Sequence, residues 1–120
     1  MNKIERIEAL KLRTKQFAIR VIKLYQNLSK TDEARIIGKQ LLRSATSTAA
    51  NYRAACRARS DADFFSKISI VLEEADETLF WIEILIETEI INGEKLKPLY
   101  MEAEEIVKII NTIRHNRKSK

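Results

Sequence analysis

Basic side chains recur at helical spacing between residues 35 and 57, and binding of an anion is the chemistry that they could perform. At 100° per residue they share one side of a helix about six turns long. No acidic residue lies between Arg35 and Arg59, so their repulsion is relieved only if a partner supplies negative charge. A solvated helix surface is the alternative. We call this set the basic stripe and predict that it binds a polyanion: Arg35, Lys39, Arg43, Arg53 and Arg57.

The sequence contains no recognisable motif for catalysis or metal binding. The single histidine, His115, has no Glu three residues before it, as the Glu-x-x-His pattern of ferritin-like metal sites requires. The single cysteine, Cys56, lies on the predicted core side of its helix, where a buried structural thiol is expected. No Gly-rich phosphate loop or Ser/His/Asp set is visible. We therefore expect no enzymatic activity, no cofactor and no metal site.

Composition and charge point to a small helical protein. The chain has 120 residues, only two glycines and one proline, which suits one domain of a few long helices. The net charge is +5, yet residues 61–90 hold nine acidic side chains and one basic. Such segregation favours polyanion binding, attraction between subunits, or both. The charged N-terminus and the shortness of the longest apolar cluster, LFWIEILI, predict a soluble, cytoplasmic protein.

Apolar periodicity predicts four helices within one domain, residues 1–120. N-caps are expected at Thr31 and Ser60, the latter with Asp63 in a capping-box position. The Asn92–Gly93 pair is expected to close a helix. We place the helices at about residues 3–28, 32–58, 61–91 and 94–114, followed by a frayed basic tail, 115–120. Amphipathic helices with short links favour an all-α, antiparallel up-and-down four-helix bundle.

Small side chains fill residues 44–50 of the second helix and are typical of close helix packing. The core side of this helix is expected to hold Ile37, Leu41, Ala45, Thr48, Tyr52 and Cys56. A narrow polar strip separates that side from the basic stripe. We predict that the strip makes a structural contact between helices; it comprises Ser44, Ser47 and Asn51.

The third helix is apolar on nearly all sides, which is more than one bundle buries. An inward stripe runs from Phe64 to Ile86, and further large apolar side chains project elsewhere. Trp81 and Phe80 are suited to anchor a subunit contact. Wrapping by neighbouring helices or terminal segments is the alternative. The predicted oligomer interface comprises Ile70, Phe80, Trp81 and Ile84.

Residues 40–87 resemble the four-helix-bundle family of proteins encoded by 23S rRNA intervening sequences. That family commonly has a Gln, a basic residue and Ser-x-x-x-Asn in its second helix, followed by a helix that starts with a small residue and Phe and contains Glu. The resemblance spans about residues 8–115. After Asn51 many members continue with an Ile-Ala-Glu-Gly type sequence, whereas this chain reads NYRAACRARS. The matching positions are Gln40, Arg43, Ser44, Ser47, Asn51, Phe64, Glu74 and Trp81.

The resemblance implies a ring-shaped, non-enzymatic homopentamer. The related accessory proteins of diversity-generating retroelements share that state and bind nucleic acid and a reverse transcriptase. Combined with the basic stripe, this predicts a homo-oligomer that binds the backbone of RNA or DNA. The rival hypothesis is an interaction scaffold or accessory subunit whose basic stripe docks an acidic protein surface, either the protein's own third helix or a partner. Further contacts are expected from Lys11, Arg13, Lys15, Arg20 and the tail.

Overall fold

A computed structural model describes residues 1–118, and all regular secondary structure within that range is helical. The expected all-α class with four helices is confirmed. Residues 119–120 of the predicted basic tail lie outside the described residues. The helices are α1 (Lys3–Gln26), α2 (Asp32–Ala55), α3 (Asp61–Glu87) and α4 (Gly93–Lys118).

The helix starts follow the predicted capping chemistry. The Thr31 hydroxyl accepts a hydrogen bond from the Ala34 backbone N–H, and the Ser60 hydroxyl accepts one from the Asp63 backbone N–H. The Asp63 carboxylate reaches back to the backbone N–H of Arg59, one residue before the position that a standard capping box uses. Each cap satisfies a backbone donor that the first helical turn leaves unpaired.

The helix ends differ from the sequence expectation by a few residues. The first three helices stop two to four residues before their expected ends. Glu89 has a φ of 60° and terminates α3, so the closing role expected of Asn92–Gly93 is filled by a non-glycine residue. Asn92 instead begins α4, because its side-chain oxygen accepts from the Glu94 N–H. The tail expected to fray from residue 115 continues α4 to Lys118.

One apolar core joins the four helices, and α2 contributes its predicted side to it. Leu41, Ala45, Thr48 and Tyr52 are buried, and Ile37 and Cys56 are half-buried. The most extensive helix contact is between α2 and α3, whereas α1 and α4 touch only slightly. The largest side chains with almost no exposure are Leu41, Ile68, Ile82, Leu85, Leu96 and Ile110.

Gly38 marks a close approach between α2 and the end of α1 with the loop that follows it. A Cβ atom at this position would lie 2.6 Å from Leu28 Cδ2 and 3.0 Å from Tyr25 Cδ1, which is closer than ordinary van der Waals contact. The loop-side end of α1 is therefore fixed against the start of α2 by a residue without a side chain.

Truncation of a core side chain should separate packing from surface effects. Ile82 is fully buried and Ile4 is 73% exposed, so Ile82→Ala should lower the free energy of unfolding by about 2–5 kcal/mol. Ile4→Ala should change it by less than about 0.5 kcal/mol. Chemical denaturation at one fixed protein concentration measures both. Equal effects of the two substitutions would contradict the placement of the core.

Candidate nucleic-acid interface

Four members of the basic stripe project into solvent, three of them from α2. Arg57, expected on the helix, lies in the turn that follows it, because α2 ends at Ala55. All four are exposed, and none has an ion-pair partner among the described residues. They form a surface with uncompensated positive charge, which suits contact with phosphate groups. We call this surface the cationic α2 face, and it comprises Arg35, Lys39, Arg53 and Arg57.

Arg43, the fifth member of the stripe, is turned toward α3. Its Nη1 lies 3.2 Å from Glu74 Oε2, and its Nη2 hydrogen-bonds to Glu77 Oε2. The bond to Glu77 is the main reason why the pKa of Arg43 is raised. Two carboxylates already balance its charge, so Arg43 is a contact between α2 and α3 and contributes little free charge to the stripe.

The carboxylate of Glu77 has a second donor in the indole of Trp81. Trp81 Nε1 donates to Glu77 Oε2 at 3.0 Å, and this bond, together with Arg43, lowers the pKa of Glu77. The arrangement holds the Trp81 ring against the surface of α3, where Phe80 packs edge-on at 4.9 Å between ring centroids. Arg43, Glu77 and Trp81 thus form one continuous polar and aromatic surface.

The predicted polar strip divides between two roles. Ser44 is buried, and its hydroxyl lies 2.9 Å from that of Thr78, so it makes the expected contact between helices. Ser47 and Asn51 instead bond to each other within α2, because Asn51 Nδ2 donates to Ser47 Oγ at 2.8 Å. Both are half-buried and leave the interhelical contact to Ser44.

The predicted oligomer interface contains accessible apolar side chains. Ile70 is 45% exposed and Phe80 is 48% exposed, whereas Trp81 and Ile84 are half-buried. Wrapping by the chain's own helices therefore covers this surface only in part. We call these four residues the apolar α3 patch.

A second exposed apolar row, on α1, was not anticipated. Its members recur at steps of eight, seven and three residues, on the side of α1 that faces away from Leu10 and Val21. The same spacing is present in the sequence, but the inward apolar row of α1 is the more obvious pattern. The row comprises Ile4, Leu12, Ile19 and Ile22.

A cleft of about 1150 Å³ opens between α1 and α4, near the end of α2. Sequence reasoning did not reveal it, because it depends on how slightly α1 and α4 touch. Arg13 bridges the two helices through paired hydrogen bonds to Glu102 at 2.7 and 2.8 Å. We call this opening the α1/α4 cleft, and its apolar lining includes Ile7, Leu10, Phe64, Ile109 and Ile113.

Cys56 lines the α1/α4 cleft, but burial raises the pKa of its thiol and so disfavours the reactive thiolate. Within residues 1–118, no group of three or more His, Cys, Asp or Glu side chains could hold a metal ion. In the same range, no helix combines the length and apolar character needed to cross a membrane.

Acid titration should report the contact between Glu77, Trp81 and Arg43. The pKa of Glu77 is lower in the folded state than the ordinary glutamate value of about 4.3. Its stabilising effect is therefore complete above that value and is lost as the pH falls through the folded-state pKa. Glu77→Gln should lower the free energy of unfolding at neutral pH and make its decline below about pH 4 shallower.

The matched control is Glu94→Gln, an exposed carboxylate at the start of α4 without an ion-pair partner among the described residues. It should leave the acid decline as in the wild type. Urea denaturation at a series of pH values measures all three proteins. An acid decline for Glu77→Gln as steep as that of the wild type would contradict the assignment.

The family assignment rests on comparisons that cover most of the chain. Residues 9–112 match the family described as 23S rRNA-intervening sequence protein. The fold is similar to the crystal structure of a protein of unknown function from the S23 ribosomal protein family of Bacteroides thetaiotaomicron VPI-5482, with a TM-score of 0.83 and 38% sequence identity over 91% of this chain and 97% of that chain. No curated protein matches the sequence. The resemblance seen in the sequence is confirmed: the chain belongs to the 23S rRNA-intervening sequence protein family.

Proposed function

We propose that this protein is a non-enzymatic homo-oligomer that binds the backbone of RNA or DNA through the cationic α2 face. The proposed assembly is a ring-like pentamer of antiparallel up-and-down bundles. The observation that carries the proposal is the division of the basic stripe, in which Arg43 is neutralised by α3 while the other four members keep exposed, unpaired charge within residues 1–118.

The composition of this surface favours contact with phosphates over contact with bases. Arginine and lysine bind phosphate strongly, but sequence is read by groups that reach base edges or stack on bases. The only aromatic residue of α2 is Tyr52, which is 3% exposed and belongs to the core. The expected binding is therefore strongly salt-dependent and weakly selective for sequence.

Side chains of α1 extend the proposed surface unequally. Lys15 and Arg20 are exposed and without an ion-pair partner among the described residues. Lys11 pairs with Glu8, and Arg13 pairs with Glu102. Among these four, Lys15 and Arg20 are the ones free to contribute to phosphate binding.

Contacts between helix ends support the antiparallel arrangement, and the apolar α3 patch supports the oligomer. Arg117, near the end of α4, pairs with Asp61 at the start of α3. The hydrogen bond from Arg114 to Ser69 is likewise a contact between the last part of α4 and the first part of α3. Exposed aromatic and aliphatic side chains such as Phe80 and Ile70 are favourable anchors of protein interfaces. A ring would repeat the cationic α2 face around its circumference and so multiply phosphate contacts.

Absolute mass by light scattering should test the assembly. The wild-type protein should have a mass about five times the 13.9 kDa of one chain. Ile70→Glu/Phe80→Glu should lower that mass, because each change places a charge in an apolar contact. Leu12→Glu, an exposed aliphatic position on α1, is the control and should leave it unchanged. A wild-type mass of one chain would refute the oligomer.

Charge reversal should test nucleic-acid binding. Arg53→Glu/Arg57→Glu should weaken binding of a fluorescently labelled RNA stem-loop and of a DNA duplex by about tenfold or more, and should make the salt dependence between about 50 and 300 mM less steep. Lys95→Glu/Lys97→Glu changes the net charge equally at exposed positions on α4 and is the control. Fluorescence anisotropy measures affinity, and circular dichroism checks the fold.

The nucleic-acid affinities of the wild type and of the Arg53→Glu/Arg57→Glu variant together decide between the two functional hypotheses. Affinity equal to that of the wild type would refute the role of the cationic α2 face. A wild-type oligomer that ignores both nucleic acids would favour the scaffold hypothesis, in which this face docks an acidic protein surface.

A further inference from the structure

The α1/α4 cleft combines an apolar floor with unpaired positive charge. Arg13 and Arg117 line it, but Glu102 and Asp61 balance their charges. Four other cationic lining residues have no ion-pair partner among the described residues, against one unpaired carboxylate, Glu105. The unpaired cations are Lys3, Arg6, Arg59 and Lys108.

This combination defines the chemistry of an occupant. Phosphate groups would satisfy the cations but would leave the apolar floor in contact with water. A volume of about 1150 Å³ also exceeds the roughly 300–1,000 Å³ of ordinary small-molecule pockets. The fitting occupant is a protein segment that carries apolar and acidic side chains together, as in the docking of an amphipathic helix into a groove.

Such a segment exists in the chain itself, on the outer side of α3. Ile70, Phe80 and Ile84 supply accessible apolar surface. Carboxylates lie among and beside them, and within residues 1–118 four have no ion-pair partner. Four unpaired anions thus match the number of unpaired cations in the cleft. They are Glu73, Asp76, Glu83 and Glu87.

The dimensions of the two surfaces agree. At 1.5 Å per residue, residues 73–87 of α3 extend over about 21 Å, and the part of α4 that lines the cleft, residues 105–117, extends over about 18 Å. Residues 70–87 of α3 line no part of the cleft within one chain. The two surfaces can therefore meet only between different copies.

We propose that the α1/α4 cleft of one copy receives the outer side of α3 from a second copy. The contact is heterologous, because two different surfaces meet, and repeating it head to tail produces a closed ring or a filament. The inference rests on the homo-oligomer of the proposed function and assigns the surfaces that form it. It leaves the cationic α2 face outside the contact.

Charge exchange in the full-length protein tests this pairing. The cleft variant is Arg6→Glu/Lys108→Glu, and the α3 variant is Glu73→Lys/Asp76→Lys. Each should raise the dissociation constant of the oligomer by about tenfold or more, because like charges then face each other. A chain that carries all four substitutions should recover much of the wild-type affinity, since opposite charges meet again. Light scattering over a dilution series without nucleic acid measures the dissociation constants.

The control variant, Lys30→Glu/Lys95→Glu, changes exposed charges that belong to neither surface. It should assemble like the wild type, and circular dichroism should show the same helical content in every variant. Wild-type assembly of the cleft variant would overturn the proposal and leave the cleft to an acidic partner other than this chain. Failure of the four-substitution chain to recover would overturn the pairing as well.

Failures of this inference and of the proposed function are distinguishable. If neither charge variant changes the dissociation constant of the oligomer, only the pairing of the cleft with α3 is overturned. A wild-type monomer overturns the pairing together with the proposed assembly. Loss of RNA binding in Arg53→Glu/Arg57→Glu without a change in mass leaves the pairing intact.

Discussion

The contact between α2 and α3 determines which way the charged and apolar surfaces of this protein face. Small residues on α2, among them Ser44 and Ala45, are fully buried and let the two helices meet over the most extensive interface in the molecule. The bond between the Ser44 and Thr78 hydroxyls fixes their register. Because a helix is rigid about its axis, a fixed inner side also fixes the outer one. The cationic α2 face follows from this packing.

The acidic residues of α3 act on the charge of α2 locally. Glu74 and Glu77 are within reach of Arg43 and engage it, whereas Arg53 and Arg57 have no ion-pair partner among the described residues. Partly exposed ion pairs of this kind contribute at most about 1 kcal/mol to stability. Their consequence is spatial, since they remove one charge from the basic stripe and hold Glu77 beside Trp81.

Sequence periodicity was sufficient to predict the structural features that depend on residues close together in the chain. The four helices, the caps at Thr31 and Ser60 and the buried side of α2 all follow from residue types within one or two turns. Helix ends were less predictable, because Glu89 adopts a left-handed conformation for which its residue type gives no signal. Arg43 shares the helical spacing of the basic stripe, and its pairing depends on residues 31 and 34 positions away in the sequence.

The α1/α4 cleft lay beyond sequence reasoning for a related reason. Its lining comes from all four helices and the α2–α3 connection, and no single helix carries a pattern that marks it. In the proposed assembly, the cleft cations of another copy account for the α3 carboxylates that have no partner in their own chain. Assembly through the cleft and α3 would use surfaces distinct from the cationic α2 face. Binding of nucleic acid would then strengthen with each added copy by avidity, without competing for the residues that hold the copies together.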